Sequence, residues 1–296
     1  MGAAALFGTS ATSQALLTPD APGVSVAAMR LLVGCAGLVG FVLWRGNGPA
    51  LRSLWRRPLV WLMGLAVAGY QAFFFIGASR TGVAVGTLIS LAVAPFLAGL
   101  LGWAMREGPP GWIWALSTFI AITGVGLLMV GNLSTGDPVG MLSAAAAGAC
   151  YAIYTVLGVG LTREGWPASA VLASSFSVGA LVLLPAAVTS TWWFSAAGVF
   201  EVLWLGLVTT TVAYLLFGIG LRELQPGHIA TLNLFEPAVA TLLSVLVLGE
   251  SLGTIGWIGC LLVVGALALL GMTEGRAESD EGRAHGTETE STGVTT

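Results

Sequence analysis

The apolar stretch LNLFEPAVATLLSVLVLG, residues 232–249, carries Asn233, Glu236 and Pro237 close together near its start. Each is costly in an oily helix. A carboxylate at mid-membrane costs about 2.5–3.5 kcal/mol on insertion scales. Proline removes an amide donor, and its ring clashes with the carbonyl four residues back, here that of Asn233. A carbonyl released in this way needs a partner, which a cavity, water or a substrate supplies. Asn233 and Glu236 are three residues apart and share a helix face. Together they make one polar patch beside a kink, suited to binding a polar substrate or to exchanging a proton at Glu236. The plainer alternative is a structural carboxyl hydrogen-bonded between helices.

The rest of the composition says what kind of protein holds such a patch. Of 296 residues, 56 % are hydrophobic and 8 % charged, against about 25 % charged in a soluble domain. A chain so poor in charge cannot cover a soluble surface, so it is a multi-span membrane protein. All eleven basic residues are Arg. With no Lys there is no Walker A loop, which argues against an ATP-driven pump in this chain. Cys35, Cys150 and Cys260 each lie inside an apolar run without a metal-ligand partner and read as small packing residues. The two histidines, His228 and His285, cannot build a zinc site. No metal, cofactor or nucleic-acid partner is expected.

Ten apolar runs follow one another, near 2–17, 24–44, 59–78, 82–104, 111–130, 140–160, 168–188, 199–219, 227–248 and 253–272. Most have about 20 residues, enough to cross about 30 Å of hydrocarbon. Backbone in lipid must satisfy itself, so the runs are helices. A β-barrel would need alternating polar residues, which are absent. The first run is short, about 24 Å as a helix. No basic lead precedes it and no cleavage site follows, so it is not a signal peptide. Arg45, Arg52, Arg56, Arg57, Arg106, Arg163, Arg222, Arg276 and Arg283 fall in the even-numbered loops and the C-terminal tail. Only Arg80 falls in an odd loop, which places both termini in the cytoplasm. Residues 273–296 are polar and acidic and read as a disordered tail.

The chain also repeats itself. TLISLAVAPFLAGLLGWAMRE (87–107) and TLNLFEPAVATLLSVLVLGE (231–250) each carry a mid-helix proline, Pro95 or Pro237, and end at Glu107 or Glu250. A Trp-Ile pair follows in both copies, at 112–113 and 257–258. Pro22 precedes Arg30 by the spacing at which Pro167 precedes Ser175. Five helices is an odd number, so the second copy inserts upside down, the inverted-repeat plan of secondary transporters. The expected domains are a first five-helix repeat over 1–132, a second over 137–272, and the tail.

The two apolar-Pro-apolar-Glu blocks in register, the NLFEP segment, the 22–30 spacing and the ten-helix plan resemble the EamA-type members of the drug/metabolite transporter superfamily. The resemblance covers about residues 2–272. It implies an all-α 5+5 fold with cytoplasmic termini and a central cavity lined mainly by the first, third, fourth, sixth, eighth and ninth helices. Members export or import amino acids, other small metabolites or drugs. Aligned on the second repeat, roughly six to eight residues are missing before Gly2.

On those helices the polar and aromatic candidates for substrate contact are Gln14, Tyr70, Gln71, Tyr151, Tyr154, Thr210 and Tyr214, beside Asn233 and Glu236. Tyr suits a membrane cavity through its flat face and single hydroxyl, although each of these residues also serves as packing. Arg30 matches a family-typical Arg; it either binds substrate or snorkels to the outer interface. Glu201, opening the eighth helix, reads as interfacial. Pro95 and Pro237 are kinks or gating hinges. Trp44, Trp61, Trp103, Trp166, Trp192 and Trp193 sit at run ends as interface anchors. Gly34, Gly37 and Gly40, and Gly82 with Gly86, let helices approach closely.

The expected protein is a secondary transporter, an exporter, of small organic metabolites such as amino acids or drugs in a bacterial plasma membrane. It works by alternating access, with proton coupling through Glu236. An intramembrane enzyme fits poorly, because no Ser/His or metal constellation accompanies His228. A non-transporting membrane partner is the other alternative.

Overall fold

The computed structural model describes residues 1–81, 83–105, 111–128, 137–249 and 253–270. Gly82, Arg106, Glu107, Glu250, Arg276, Arg283 and the acidic tail lie outside the described residues. Helices make up the chain, in the order α1 (Gly2–Leu17), α2 (Gly23–Trp44), a short α3 (Gly48–Leu54), α4 (Pro58–Thr81), α5 (Val83–Ala104), α6 (Trp112–Leu128), α7 (Pro138–Arg163) and α8 (Ala168–Val188). Then come α9 (Ala196–Leu203), α10 (Ala213–Glu223), α11 (Pro226–Leu232) and α12 (Phe235–Leu248), and a final α13 (Thr254–Leu270). Among the described residues there is no strand. Seven helical spans are long and apolar enough to cross a membrane. The helices α1, α6 and α13 are shorter.

Two spans are irregular. Between α9 and α10 the chain continues as a π-helix over Trp204–Val212. Its threonines bond backward along the widened turn: Thr210 Oγ1 donates to Leu205 O at 2.8 Å and Thr211 Oγ1 to Gly206 O at 3.0 Å. Gly206 has no side chain to hold α2 away, and Gly34 of α2 answers it; a Cβ on Gly34 would meet Thr210 at 2.3 Å. Gly40 faces open space, so it takes no part in this approach. Between α11 and α12 the helix breaks at Asn233–Leu234. Pro237 then falls in the first turn of α12, where its missing amide costs nothing. The Asn233 carbonyl is not released, as the sequence suggested. It accepts from the Glu236 amide at 3.0 Å, because the chain tightens into a shorter turn there. Pro95, by contrast, lies inside a continuous α5.

The packing pairs elements from opposite halves of the chain. Helix α4 lies along α7, and the span containing the π-helix lies along α1; α5 also lies along α7, and α12 along α1. Helices α2 and α8 pack on each other, as do α5 and α11. Each contact is thus matched by its counterpart under exchange of halves, or is its own counterpart. Two buried cores form, the larger around Leu31, Met63, Leu172 and Phe176 and the smaller around Leu234 and Val263.

Ion pairs tie the ends together. Arg57 Nη1 donates to Glu164 at 2.6 Å, with its guanidinium 5.2 Å from the Trp166 ring centre. The α3–α4 and α7–α8 junctions therefore share one end. At the start of α7, Asp137 accepts from the Val139 amide at 3.2 Å and from Arg80 at 2.8 Å. The Arg80 hydrogen bond, helped by that amide, holds the Asp137 carboxyl below the usual carboxylate range. A lowered folded value contributes stability above the ordinary carboxylate pKa and loses it as pH falls through the folded value. Asn caps a helix about as well as Asp. The melting curves of wild type and Asp137→Asn should therefore separate slightly at neutral pH and converge in acid.

Candidate functional site

The break in the ninth span is the centre of the site. Asn233 closes α11 and Glu236 stands in the first turn of α12, so the two flank the break. Helix α1 closes over this point. A Cβ on Gly8 would lie 2.9 Å from the Glu236 carbonyl oxygen. Only a residue without a side chain lets α1 seat there.

A cavity opens between the halves, lined by Tyr70 of α4, Ser90 and Ala94 of α5, Tyr151 of α7, and Asn233 and Glu236. Its ≈ 20 Å³ holds a water molecule but not a metabolite. Asn233 Nδ2 donates to the Tyr151 hydroxyl at 2.6 Å, and Asn233 is buried. A larger cavity of ≈ 290 Å³ lies between the start of α1, α10 and α11, and Asn233 lines it as well. The amide of Asn233 and its bond to Tyr151 therefore stand in the wall between a narrow inner chamber and a wider one. Removing the Tyr151 hydroxyl leaves the Asn233 amide without that partner, at about 1–3 kcal/mol. Tyr151→Phe is expected to lower the melting temperature and, by loosening this wall, to speed substrate release, seen as a raised KM.

An aromatic chain backs the inner chamber. Tyr70 and Tyr151 rings are 6.1 Å apart and Tyr151 and Tyr154 4.9 Å. The series continues through Phe217 to Tyr214, which packs on Phe176 at 4.4 Å and on Phe7 at 5.0 Å. Tyr154 and Tyr214 thus support the chamber from behind. The Arg30 guanidinium lies within electrostatic reach of Glu236, Tyr70 and Tyr214. Its Nε is buried and has no hydrogen-bond partner, and among the described residues no ion pair joins it to Glu236.

Other candidates fall elsewhere. Gln71 is buried but does not line the chamber, because one residue along a helix turns the side chain about 100° away from Tyr70. Gln14 lies near the end of α1 and lines neither cavity. Thr210 packs on Gly34 as part of the π-helix. Glu201 is fully buried within the protein, and α1 supplies its partner, Ser13 Oγ, at 3.1 Å. Among the described residues no group of acids, cysteines and histidines could hold a metal.

Seven helical spans long and apolar enough to cross a membrane, with a polar chamber among them, fit a multi-pass membrane protein. The model of the EamA-like transporter family matches residues 1–130 and again 138–272, and the chain belongs to that family. It is 34 % identical over 271 residues to the uncharacterized transporter YwfM of Bacillus subtilis, covering 90 % of each chain. It is 30 % identical over 265 residues to the threonine/homoserine exporter RhtA of Escherichia coli K12, covering 85 % of this chain and 81 % of that one. A solved crystal structure shares the fold, with a TM-score of 0.80 at 22 % identity over 94 % of this chain and 96 % of that chain. The protein is a multi-pass transporter of the bacterial plasma membrane.

Proposed function

We propose that the protein is a secondary transporter exporting small organic metabolites, amino acids foremost, by alternating access around the chamber at Asn233 and Glu236. The observation that carries this reading is the chamber itself: a broken helix, a central acid and two tyrosines, between halves of the chain, with Asn233 shared with a wider cavity. Discontinuous helices at the meeting of two repeats are where secondary transporters bind substrate.

The architecture in this reading is ten spans in two inverted five-helix repeats, with both termini cytoplasmic. It is supported by the two successive family matches and by contacts that pair up under exchange of the halves. Substrate contacts fall to Asn233, Glu236, Tyr70, Tyr151 and Arg30, with Pro237 marking the hinge of the broken helix. Glu236 also carries the coupling proton. The similarity to a threonine/homoserine exporter favours amino acids as the first substrates to test.

Proteoliposomes loaded with unlabelled L-threonine, L-homoserine or a wider amino-acid panel should take up the corresponding labelled compound by counterflow. A membrane protein that only binds partners gives none, and absence of counterflow for the whole panel would reject amino acids as the cargo.

A further inference from the structure

A second buried carboxyl lies where α1 packs against α9. Glu201 is completely buried. Its Oε1 is 3.1 Å from Ser13 Oγ, and its Oε2 has no hydrogen-bond partner. Ser13 Oγ also lies 3.0 Å from the Ser10 carbonyl oxygen. A hydroxyl has one proton to give, and a carbonyl can only accept. With Ser13 donating to Ser10, the contact with Glu201 is a hydrogen bond only when the carboxyl donates. The other arrangement leaves a buried ionised carboxylate on a single neutral hydrogen bond, with one oxygen orphaned, at a cost of several kcal/mol.

Among the described residues no ion pair offsets that cost. The elements packed on α9 are α1, α2, the Trp192–Phe194 turn and the π-helix. Helix α1, the turn and the π-helix contain no ionisable side chain. Helix α2 contains Arg30, which belongs to the field of Glu236 and the tyrosines, and Cys35, which bonds Ser177 of α8 at 3.1 Å. What surrounds Glu201 is instead polar and neutral. Ser10 Oγ is buried without a partner, and Thr9 Oγ1 accepts from Trp204 Nε1 at 3.3 Å. Thr9, Ser10 and Ser13 share one face of α1, spaced three and four apart.

We propose that Glu201, with Ser13, Ser10 and Thr9 of α1, is a second proton-binding site, separate from the substrate chamber. In this structure the site is closed and holds its proton. When α1 draws away from α9 and water enters, the carboxyl O–H bond breaks, the proton passes to water and a hydrated carboxylate remains; closure reverses the step. Because α1 also covers Glu236, the same movement links the second site to the chamber. That consequence rests on the transporter reading, whereas the proton itself does not.

Infrared difference spectroscopy of the purified full-length protein between acid and alkaline pH tests the proton directly, with no substrate. Wild type should show the carbonyl stretch of a protonated carboxylic acid. Glu201→Gln should lose a component of that band which Glu236→Gln retains, and Ser13→Ala should shift its frequency. Superimposable bands in wild type and Glu201→Gln would overturn the proposal, as would an unshifted band in Ser13→Ala. In proteoliposomes Glu201→Gln should lose proton-driven accumulation while amino-acid counterflow persists. Intact proton-driven accumulation in this variant would also overturn it. If the wild type itself shows no counterflow, the cargo reading fails and the infrared result stands apart.

Discussion

Glu236→Gln is expected to lower both exchange and proton-driven accumulation about tenfold or more while leaving the protein at least as stable as wild type. The substitution keeps the size and hydrogen-bonding capacity of the side chain and removes its charge. A charge-assisted hydrogen bond to a substrate is worth about 1.5–3 kcal/mol, and about 1.4 kcal/mol is a factor of ten. At the same time, a carboxylate at mid-membrane costs about 2.5–3.5 kcal/mol on insertion scales, which an amide relieves in part. A residue retained for the fold would show the opposite pattern, with a lower melting temperature and unimpaired transport. The double loss also separates Glu236 from Glu201, whose replacement is expected to spare exchange. Transport assays paired with thermal melts read all of these outcomes.

Gly148→Val is expected to be the most damaging packing change near the chamber. Gly148 lies within α7, where α5 crosses it. A Cβ there would sit 2.5 Å from the Ser90 carbonyl oxygen and 3.0 Å from Val93. A backbone carbonyl inside a helix cannot swing aside as a side-chain tip can, so α5 itself must move. Overpacking of this kind costs about 1–3 kcal/mol. The displaced stretch carries Ser90 and Ala94 of the chamber wall, so transport should fall together with the melting temperature. Gly40→Ala is the contrasting case. Nothing lies within 4 Å of its added Cβ, and replacing a mid-helix glycine by alanine contributes about 0.5–1 kcal/mol of stability. Equal thermal effects for the two substitutions would contradict this account of the packing.

Much of this was legible in the sequence because it is written in hydrophobicity and in breakers. Apolar runs and their loops gave the helices, and the duplicated proline blocks pointed to pairing between halves. Asn233, Glu236, Tyr70 and Tyr151 could be found because a polar or amphipathic group is conspicuous in an oily span. Gln14 and Gln71 were equally conspicuous yet lie outside the chamber, since composition does not say which way a helix is turned. Ser90 and Ala94 were missed because small residues give little signal; the clue available was a lone serine five residues before Pro95. The burial of Glu201 depends on how α1 packs against α9, a long-range contact that no local pattern encodes. The π-helix arises from threonines that also fit an ordinary α-helix, and only the approach of Gly34 to Gly206 shows why the wider form is used.

Alternating access around the chamber is the central claim, and the reactivity of Ser90→Cys tests it most directly. The substitution would be made with Cys35, Cys150 and Cys260 replaced, so that only the chamber wall carries a thiol. A membrane-impermeant maleimide would be applied to right-side-out and to inside-out vesicles. The account predicts labelling from both sides, at rates that a bound substrate lowers. A thiol that reacts from one side alone under every condition, or from neither, would contradict it.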